Sequence, residues 1–390
     1  MIRLLHTSDW HLGRQLYGHS LLEDQAFALE RLLELIDRLQ PHGLLIAGDI
    51  FDRPLPPEAA VALLDRFLHE TAAKRKLPVF LIPGNHDSCE RLGFASGLLR
   101  ERGVTIFAKV EDAFTPVLVR GDAGDEALIY GIPFVEPADI GRALGRVDIE
   151  SPDHALNELC RELISKNQAR DDSHLPRVLL CHAFVAGAET CDSEKEIFIG
   201  GSSIVNPSAF QDFAYTALGH LHRPQQAGAD HIRYCGSLLQ YSKSEIGYPK
   251  GIVEVRIAGA ATIEHNTHHL PIRRPLRFLE GDLTELVRQA AGDSEREDYI
   301  IASYTDQGAV LDAFTKLYAV YPNLLHVSRT LGFNPTTLPM LEARVNRDTV
   351  SELDLFAEFF QAATGEALSE RERITLNKVI IELCREEAMP

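Results

Sequence analysis

The sequence predicts an α/β layer fold for residues 1–257, and two observations predict it. Short apolar runs of strand length alternate with segments in which apolar residues recur every three or four positions, as on one face of a helix. Clusters of Asp, His, Asn and Gly directly follow five of the apolar runs. The carboxyl ends of strands are where α/β folds build their sites, so these clusters are the candidate functional residues.

The first two strands and the helix between them show the alternation. Residues 2–6 and 44–47 are short apolar runs bounded by polar residues, and each predicts a strand. Pro41 and Gly43 are expected to end the intervening helix. Its apolar face is predicted from Leu22, Ala26, Leu29, Leu33 and Ile36.

The same alternation continues through the rest of this segment. A second helix is predicted over residues 63–74, and a third of about 17 residues begins after Ser151. Further apolar runs predict strands at 79–82, 104–107, 128–132, 177–181, 215–218, 232–235 and 252–257.

Composition changes at residues 258–275, where alanine, glycine, histidine and proline occur without sustained periodicity. We therefore predict a linker here, between a domain at 1–257 and a small α+β domain at 276–345. In the second domain, helices are predicted at 283–291 and 310–321, and strands at 276–279, 299–304 and 324–329.

A helical hairpin is predicted for residues 346–390. Each helix opens with a capping-box pattern, Ser351 with Asp354 and Ser369 with Glu372. Such amphipathic helices commonly pack on their own domain, and docking on a partner protein is the alternative. The apolar stripes are formed by Leu353, Phe356, Phe359 and Phe360, and by Ile374, Val379, Ile380 and Leu383.

The charge balance limits the classes of substrate. Asp and Glu number 57 against 39 Lys and Arg, which gives a net charge of −18. A negatively charged chain repels phosphate backbones. The balance therefore favours a small phosphorylated substrate, or else a DNA-binding protein that takes positive charge from metals and from a partner.

Other bulk properties concern location and redox state. No apolar run approaches the ~20 residues of a membrane helix, so no membrane span is expected. The N-terminal residues lack the basic and apolar regions of a signal peptide, which indicates the cytoplasm. The 6 cysteines are scattered without a Cys-x-x-Cys pair, as expected for reduced, buried thiols.

The candidate site residues lie in five clusters, each after an apolar run. Alone, each is a weak signal, because Asp, Asn and Gly are common in turns and a single His is often a buried, hydrogen-bonded residue. Five clusters at strand ends in one chain indicate a common site. They are Asp9-Trp10-His11, Gly48-Asp49-Ile50-Phe51-Asp52, Gly84-Asn85-His86-Asp87, His182, and Gly219-His220-Leu221-His222.

The residue types in these clusters suit a pair of divalent cations. Two cations about 3.5 to 4 Å apart can hold the attacking and leaving oxygens of a phosphate ester. Carboxylate, imidazole and amide donors without thiolates fit manganese, iron or zinc better than calcium. In an extended segment, alternation would place His220 and His222 on the same side. The candidate donors are Asp9, His11, Asp49, Asn85, His182, His220 and His222.

The ordered set of clusters resembles the calcineurin-like metallophosphoesterase superfamily. The resemblance implies a four-layer β-sandwich flanked by helices. More narrowly, the sequence around the clusters is similar to the SbcD family of nuclease subunits, and the likeness covers nearly the whole chain. The segments that carry this narrower likeness are residues 6–14, 48–53, 217–225 and 234–237.

The resemblance also implies a role for each candidate residue. One metal would be held by Asp9, His11 and His222, the other by Asn85, His182 and His220, with Asp49 bridging the two. His86 would contact the scissile phosphate and help the leaving oxygen depart, while Asp52 would orient His86. A histidine beside two cations needs an anionic neighbour to stay protonated near neutral pH, which agrees with that role for Asp52.

The family further implies a manganese-dependent DNA nuclease with double-strand exonuclease and single-strand or hairpin endonuclease activity. It would act with an SbcC-type ATPase, as a homodimer within a heterotetramer, in DNA repair, recombination and replication. The resemblance also implies that the α+β domain caps the site and that the hairpin docks on the ATPase. Candidate DNA contacts are Arg14, Arg53 and Arg91, which lie in or just after the ligand loops.

Two other functions remain open at this point. A phosphatase or cyclic-nucleotide phosphodiesterase would use the same metals on a small substrate, and the negative net charge favours it. A non-catalytic scaffold with this fold would be expected to have lost ligands, and the sequence retains all of them.

Overall fold

The chain forms two units, Met1–Arg277 and Phe278–Pro390. The structure is a computed structural model, and it describes residues 1–122, 124–168, 170–194, 204–259, 262–306, 310, 312–330, 353–354, 356–357, 360–361 and 367–387. All of the candidate site residues lie in the first unit.

A six-stranded sheet contains three of the five strands that precede candidate clusters. Its strands are β1 (Ile2–Thr7), β4 (Gly43–Ala47), β5 (Val79–Ile82), β6 (Val104–Ile106), β15 (Gly251–Ala258) and β16 (Thr262–His269), in the order β16-β15-β1-β4-β5-β6. The pairs β1–β4, β4–β5 and β5–β6 are parallel, whereas β15 is antiparallel to β1 and β16. The carboxyl ends of β1, β4 and β5 therefore meet at one edge.

A second six-stranded sheet contains the other two. Its strands are β7 (Val117–Arg120), β8 (Glu126–Ile132), β9 (Arg177–His182), β12 (Tyr215–Gly219), β13 (Gln225–Ala227) and β14 (Ala229–Tyr234), in the order β13-β14-β12-β9-β8-β7. Strands β8, β9, β12 and β14 are parallel to their neighbours within that group. Two short pairs complete the unit: β2 (Gln15–Leu16) with β3 (His19–Ser20), and β10 (Phe184–Val185) with β11 (Ile204–Val205).

The two sheets pack face to face on an apolar core. Leu4 and Phe80 of the first sheet belong to the same buried cluster as Ile129 and Leu180 of the second. Helices cover the outer faces, which confirms the α/β layer fold predicted from the sequence and the sandwich that the resemblance implied. The helices are α1 (Leu22–Leu39), α2 (Glu58–Leu68), α3 (Cys89–Leu92), α4 (Ser96–Arg100), α5 (Pro137–Leu144) and α6 (Pro152–Gln168).

Helix α1 buries Leu29 and Ile36 of its predicted face. The other three predicted residues are only half-buried, and Leu32 and Leu35 are buried in their place. It ends at Leu39 because Gln40 adopts the left-handed conformation. Helix α2 begins at Glu58 and not at residue 63 as predicted, and residues His69–Lys74 continue it as a π-helical segment.

The predicted linker at 258–275 is wrong over Thr262–His269, which forms strand β16. This strand pairs with β15 from Ala258↔Thr262 to Gly251↔His269. It lies at the edge of its sheet, and several of its side chains are exposed or half-buried. An edge strand of this kind carries little apolar alternation, which is why composition alone did not reveal it.

The described part of the second unit is a small α+β fold. Strands β17 (Leu276–Gly281), β18 (Tyr299–Tyr304) and β19 (Leu324–Arg329) form a sheet in that order. Helices α7 (Leu283–Gln289) and α8 (Ala313–Tyr318) pack on it through Leu286, Leu317 and Ile300. The helix predicted at 310–321 is therefore shorter than expected.

The last described element is helix α9 (Glu370–Glu387). Its predicted capping box is confirmed, since Ser369 N donates to Glu372 Oε2 at 2.9 Å and Glu372 N donates to Ser369 Oγ at 3.4 Å. The box predicted at Ser351 lies outside the described residues. Within the described residues, no helix has the length and hydropathy of a membrane span.

Candidate metal centre

The five clusters meet where the carboxyl ends of β1, β4 and β5 face those of β9 and β12. Asp9 and His11 follow β1, Asp49 follows β4, and Asn85 and His86 follow β5, while His182 ends β9 and His220 and His222 follow β12. Asn85 is half-buried. The other seven residues are each at most 5% exposed: Asp9, His11, Asp49, His86, His182, His220 and His222.

Unusual backbone geometry brings these side chains inward. Asp9, His11, Asp49 and His220 have φ angles of 52°, 45°, 50° and 104°, in the left-handed region that non-glycine residues seldom adopt. The loops are held together by hydrogen bonds such as His11 N to Asp49 O at 3.0 Å. Strand β12 ends at Gly219, so His220 and His222 lie in the loop that follows it. The loop, and not the strand alternation expected from the sequence, therefore places them.

Three residues form what we call the His222 side: Asp9, His11 and His222. Their ligand atoms lie within 4.8 Å of one another, and His11 Nε2 is 3.1 Å from His222 Nε2. His222 Nδ1 is 2.8 Å from Ser193 Oγ and 3.2 Å from Glu245 Oε1. A carboxylate oxygen can only accept, so Nδ1 carries the proton and Nε2 presents a lone pair to the site.

Three residues form the His182 side: Asn85, His182 and His220. Asn85 Oδ1 is 2.9 Å from His182 Nε2 and 3.2 Å from His220 Nδ1. His182 Nδ1 donates to Ala47 O at 2.9 Å, which leaves the lone pair on Nε2. That lone pair and the amide oxygen of Asn85 are both acceptors, and a cation between them would turn their repulsion into coordination.

Asp49 lies between the two sides. Its Oδ2 is 3.7 Å from His11 Nε2 and 3.6 Å from His182 Nε2. Its Oδ1 accepts from His86 N at 2.8 Å. One carboxylate thus faces a ligand candidate from each side, which is the position that a bridging ligand requires.

The electrostatics of the site fit divalent metals. Burial lowers the pKa of His182 to about 4 and lowers the pKa values of His11 and His220 well below the usual range, so these imidazoles are neutral. Burial and the nearby Asp49 raise the pKa of Asp9. Neutral imidazoles beside two buried, mutually repelling carboxylates form a donor set that cations stabilise.

His86 is oriented by Asp52 through the backbone. Its Nδ1 donates to the carbonyl oxygen of Asp52 at 2.7 Å, whereas the Asp52 carboxylate accepts from Arg14 Nη1 at 3.1 Å. His86 Nε2 lies 4.0 Å from Asp49 Oδ2 and faces the site. The structure therefore brings Asp52 to His86, by a contact different from the anionic one that the sequence analysis expected.

The three candidate DNA-binding arginines differ in their surroundings. Arg14 is partly buried, contacts Asp52, and lies 5.1 Å from the centre of the Tyr241 ring. Arg91 is exposed and donates to Pro54 O at 2.6 Å. Arg53 is exposed.

Asp87 of the third cluster supports its loop, since its carboxylate accepts from Ile50 N at 3.0 Å and Phe51 N at 2.9 Å. Several other residues that support the site were not found from the sequence. Gln25, which α1 buries together with Asp24 and five apolar residues, donates to His11 O at 2.7 Å. A polar residue close to the apolar positions of the helix was the one available signal. The other supporting residues are Ser193, Glu194, Tyr241, Glu245 and Lys250.

Comparison with known families shows the family to which this site belongs. The model of the calcineurin-like phosphoesterases matches residues 2–224. The chain belongs to the calcineurin-like phosphoesterase family. It is therefore a metal-dependent phosphoesterase, and its fold is the one that the resemblance implied. A second model, the type 5 capsule protein repressor C-terminal domain, matches residues 272–364.

Two curated relatives are similar over nearly the whole chain. The SbcD component of the nuclease SbcCD from Staphylococcus epidermidis is 29% identical over 369 residues, which cover 95% of each chain. Its counterpart from Staphylococcus saprophyticus is 29% identical over 389 residues, which cover 99% of each chain. Among solved structures, a dimetal phosphatase from Danio rerio is 10% identical, with a TM-score of 0.41, and the match covers 69% of this chain and 96% of that one.

Proposed function

We propose that this protein is a two-metal DNA nuclease that works with an SbcC-type ATPase. The observation that carries the proposal is the arrangement of six donors in two sets on either side of Asp49. DNA as the substrate is supported by the two relatives named as nuclease components, because their similarity extends through the region beyond the phosphoesterase domain.

In this proposal Asp9, His11 and His222 hold one metal, Asn85, His182 and His220 hold the other, and Asp49 contacts both. We propose Mn²⁺ for both positions, since imidazole, carboxylate and amide donors without thiolate suit it. When bound, the ions supply Lewis acidity toward a phosphodiester and its attacking water.

His86 acts on the leaving oxygen. Donation from Nδ1 to the Asp52 carbonyl fixes the ring, so that Nε2 points toward the site from a buried position. When protonated, Nε2 donates to the oxygen that departs from phosphorus, and the same proton stabilises its developing charge.

The net charge of −18 opposes DNA binding, and local positive charge at the site would offset it. Two divalent ions would add four charges where the phosphate lies. We assign DNA phosphate contacts to Arg53 and Arg91, which are exposed, and we assign Arg14 chiefly to holding Asp52. The ATPase partner would supply further positive surface.

Exposed apolar side chains support the proposed assembly. On α9, Ile374 is 52% exposed and Val379 is 46% exposed, as expected for a helix that docks on the ATPase. In the first unit, Phe94 is 80% exposed and Leu98 is 71% exposed. We propose that these two residues contribute to a homodimer within a heterotetramer.

A small-substrate phosphodiesterase is the second candidate. A cavity of about 600 Å³, a size typical of small-molecule sites, is lined by Gly84 and Asn85 at the metal centre. The same cavity is lined by Glu90, Glu111, Glu136 and Asp139, and also by Lys109 and Arg142. This lining does not distinguish one anionic substrate from another, so the preference for DNA rests on the two relatives named as nuclease components.

The test compares wild type with His86→Gln and with His69→Gln, a matched substitution at an exposed histidine. Each protein is incubated with end-labelled duplex or hairpin DNA under Mn²⁺, Mg²⁺ or Zn²⁺, with and without the ATPase. We expect cleavage by wild type and His69→Gln, and a loss of about 10²- to 10⁴-fold in His86→Gln.

Hydrolysis of bis-p-nitrophenyl phosphate, a small diester, is measured alongside to test the second candidate function. If wild type hydrolyses this small diester but leaves DNA intact under every metal and with its partner, the protein is not a nuclease. If His86→Gln cleaves DNA as fast as wild type, the role given to His86 is wrong.

A further inference from the structure

A buried ion pair lies behind the His222 side. Lys250 Nζ is 2.5 Å from Glu245 Oε2, and both side chains have 0% exposure. The ammonium group also donates to Ser237 Oγ at 2.8 Å and to the carbonyl oxygen of His222 at 3.0 Å. All three donors of Lys250 are thereby used, and one of them holds the backbone of a candidate ligand.

The other oxygen of Glu245 holds the ring of the same residue. Glu245 Oε1 is 3.2 Å from His222 Nδ1, and it accepts from Ser193 Oγ at 2.5 Å. Because Ser193 gives its proton to Glu245, its oxygen accepts from His222 Nδ1 at 2.8 Å. Both neighbours of Nδ1 are therefore acceptors, which fixes the tautomer with the lone pair on Nε2.

We propose that Glu245, held in place by Lys250, is a positioning residue that aims His222 Nε2 at one metal. This inference rests on the metal-binding part of the proposed function and adds two residues to it. A carboxylate behind an imidazole fixes the orientation of the ring and raises the basicity of the nitrogen that binds the metal. Lys250 fixes the position of that carboxylate, since its Nζ lies 2.5 Å from Oε2.

A purely structural ion pair is the alternative, and the contacts argue against it. Burial of two charges seldom adds stability over apolar packing, so a pair retained in a core is expected to fix geometry. Here the pair contacts His222 at two points, the ring nitrogen and the carbonyl oxygen. Glu194 Oε1 accepts from the backbone N of the same residue at 2.6 Å.

Two serines provide a matched pair for the test. Ser193 and Ser242 both donate to Glu245 Oε1, at 2.5 Å and 3.2 Å, and Ser193 also accepts from His222 Nδ1. Wild type, Ser193→Ala, Ser242→Ala and Glu245→Gln are titrated with Mn²⁺ by calorimetry after chelation, and thermal unfolding of each is measured without metal.

We expect two Mn²⁺ ions per wild-type chain. In Glu245→Gln one of them should bind about 10- to 100-fold more weakly while the other is unchanged. Ser193→Ala should reduce the affinity for the same ion by a smaller factor, and Ser242→Ala by a smaller factor still. If Glu245→Gln does not fold, the contrast between the two serine variants decides the question.

Equal Mn²⁺ affinities in all folded variants would overturn the positioning role. An equal loss of Mn²⁺ affinity at both ions, in proportion to the drop in unfolding temperature, would also overturn the positioning role. Such a result would indicate that the ion pair is only structural. If wild type itself binds no Mn²⁺, the metal site of the proposed function is wrong, and that result is distinct from either outcome.

Discussion

The two sides of the candidate metal centre are supported in different ways. On the His222 side, polar side chains form the support, since Gln25 holds His11 by its backbone and Glu245 holds the ring of His222. On the His182 side, the backbone forms it, because His182 Nδ1 donates to Ala47 O. One set of ligands is therefore positioned by polar side chains on one side and by close packing of the chain on the other.

Glycines make that close packing possible. A Cβ atom at Gly219 would lie 1.9 Å from Ala47 O, and one at Gly48 would lie 2.4 Å from His182 Nδ1. Gly48 also has a φ of +90°, which disfavours any side chain. These two residues therefore determine how closely β4, β9 and β12 approach at the site.

Substitution of Asp49, which faces both sides, should affect the His222 side and the His182 side alike. Asp49→Asn is expected to lose both metals and to reduce diester hydrolysis by more than about 100-fold, a larger effect than is typical for residues behind the ligands. Metal content by mass spectrometry and the rate on bis-p-nitrophenyl phosphate provide the measurements. Asp298→Asn, at a buried aspartate of the second unit, is the control.

The same variant has an opposite effect on the metal-free protein. Asp49 contributes to the raised pKa of Asp9, so its neutralisation removes a repulsion between buried carboxylates. Metal-free Asp49→Asn should therefore unfold at a higher temperature than metal-free wild type. Retention of one ion at wild-type affinity would mean that Asp49 is not shared by the two sides.

Gly219→Ala tests the backbone support of the His182 side. The added methyl group would overlap Ala47 O, and we expect a destabilisation of about 1 to 3 kcal/mol with weaker binding of one metal. Gly292→Ala is the matched control, since a Cβ there meets nothing within 4 Å. Thermal unfolding and Mn²⁺ titration compare the two variants. A Gly219→Ala protein as stable as Gly292→Ala would show that the strands can separate without loss.

The sequence predicted most strands and the clusters that meet at the site, because those features are local. The strand over Val79–Ile82 has the predicted bounds, and the clusters that follow the strands converge as expected from parallel pairing. The supports of the ligands were not predictable, because Glu245 and Lys250 carry no pattern that distinguishes them from solvated charges. Their role depends on the close approach of residues such as Ser193 and His222, which lie 29 positions apart.

Acid should affect His182 and His222 unequally. Burial lowers the pKa of His182 to about 4 from 6.5, while the carboxylate of Glu245 partly offsets the same effect on the pKa of His222. A lowered pKa stabilises the fold above pH 6.5, and this stability is lost as the pH falls toward 4, by about 1.4 kcal/mol per unit for His182.

The measurement is thermal unfolding of chelated protein between pH 7.5 and 5. We expect the unfolding temperature to fall less steeply with decreasing pH in His182→Gln than in His222→Gln. The reason is that folding opposes the protonation of His182 more strongly than that of His222. Equal slopes in the two variants would contradict the difference that we assign to Glu245.

Tyr241→Phe should give the smallest effect and concerns the His222 side alone. The Tyr241 hydroxyl accepts from Gln25 Nε2 at 3.2 Å and donates to Trp10 O, so its removal leaves Gln25 still bonded to His11 O. One lost hydrogen bond corresponds to about 1 kcal/mol of stability, and we expect metal affinity to change by less than tenfold. Tyr248→Phe, at a half-buried tyrosine beside Arg223, is the control. A Tyr241→Phe protein that loses a metal altogether would show that support of this side is carried by Tyr241 and not spread over its neighbours.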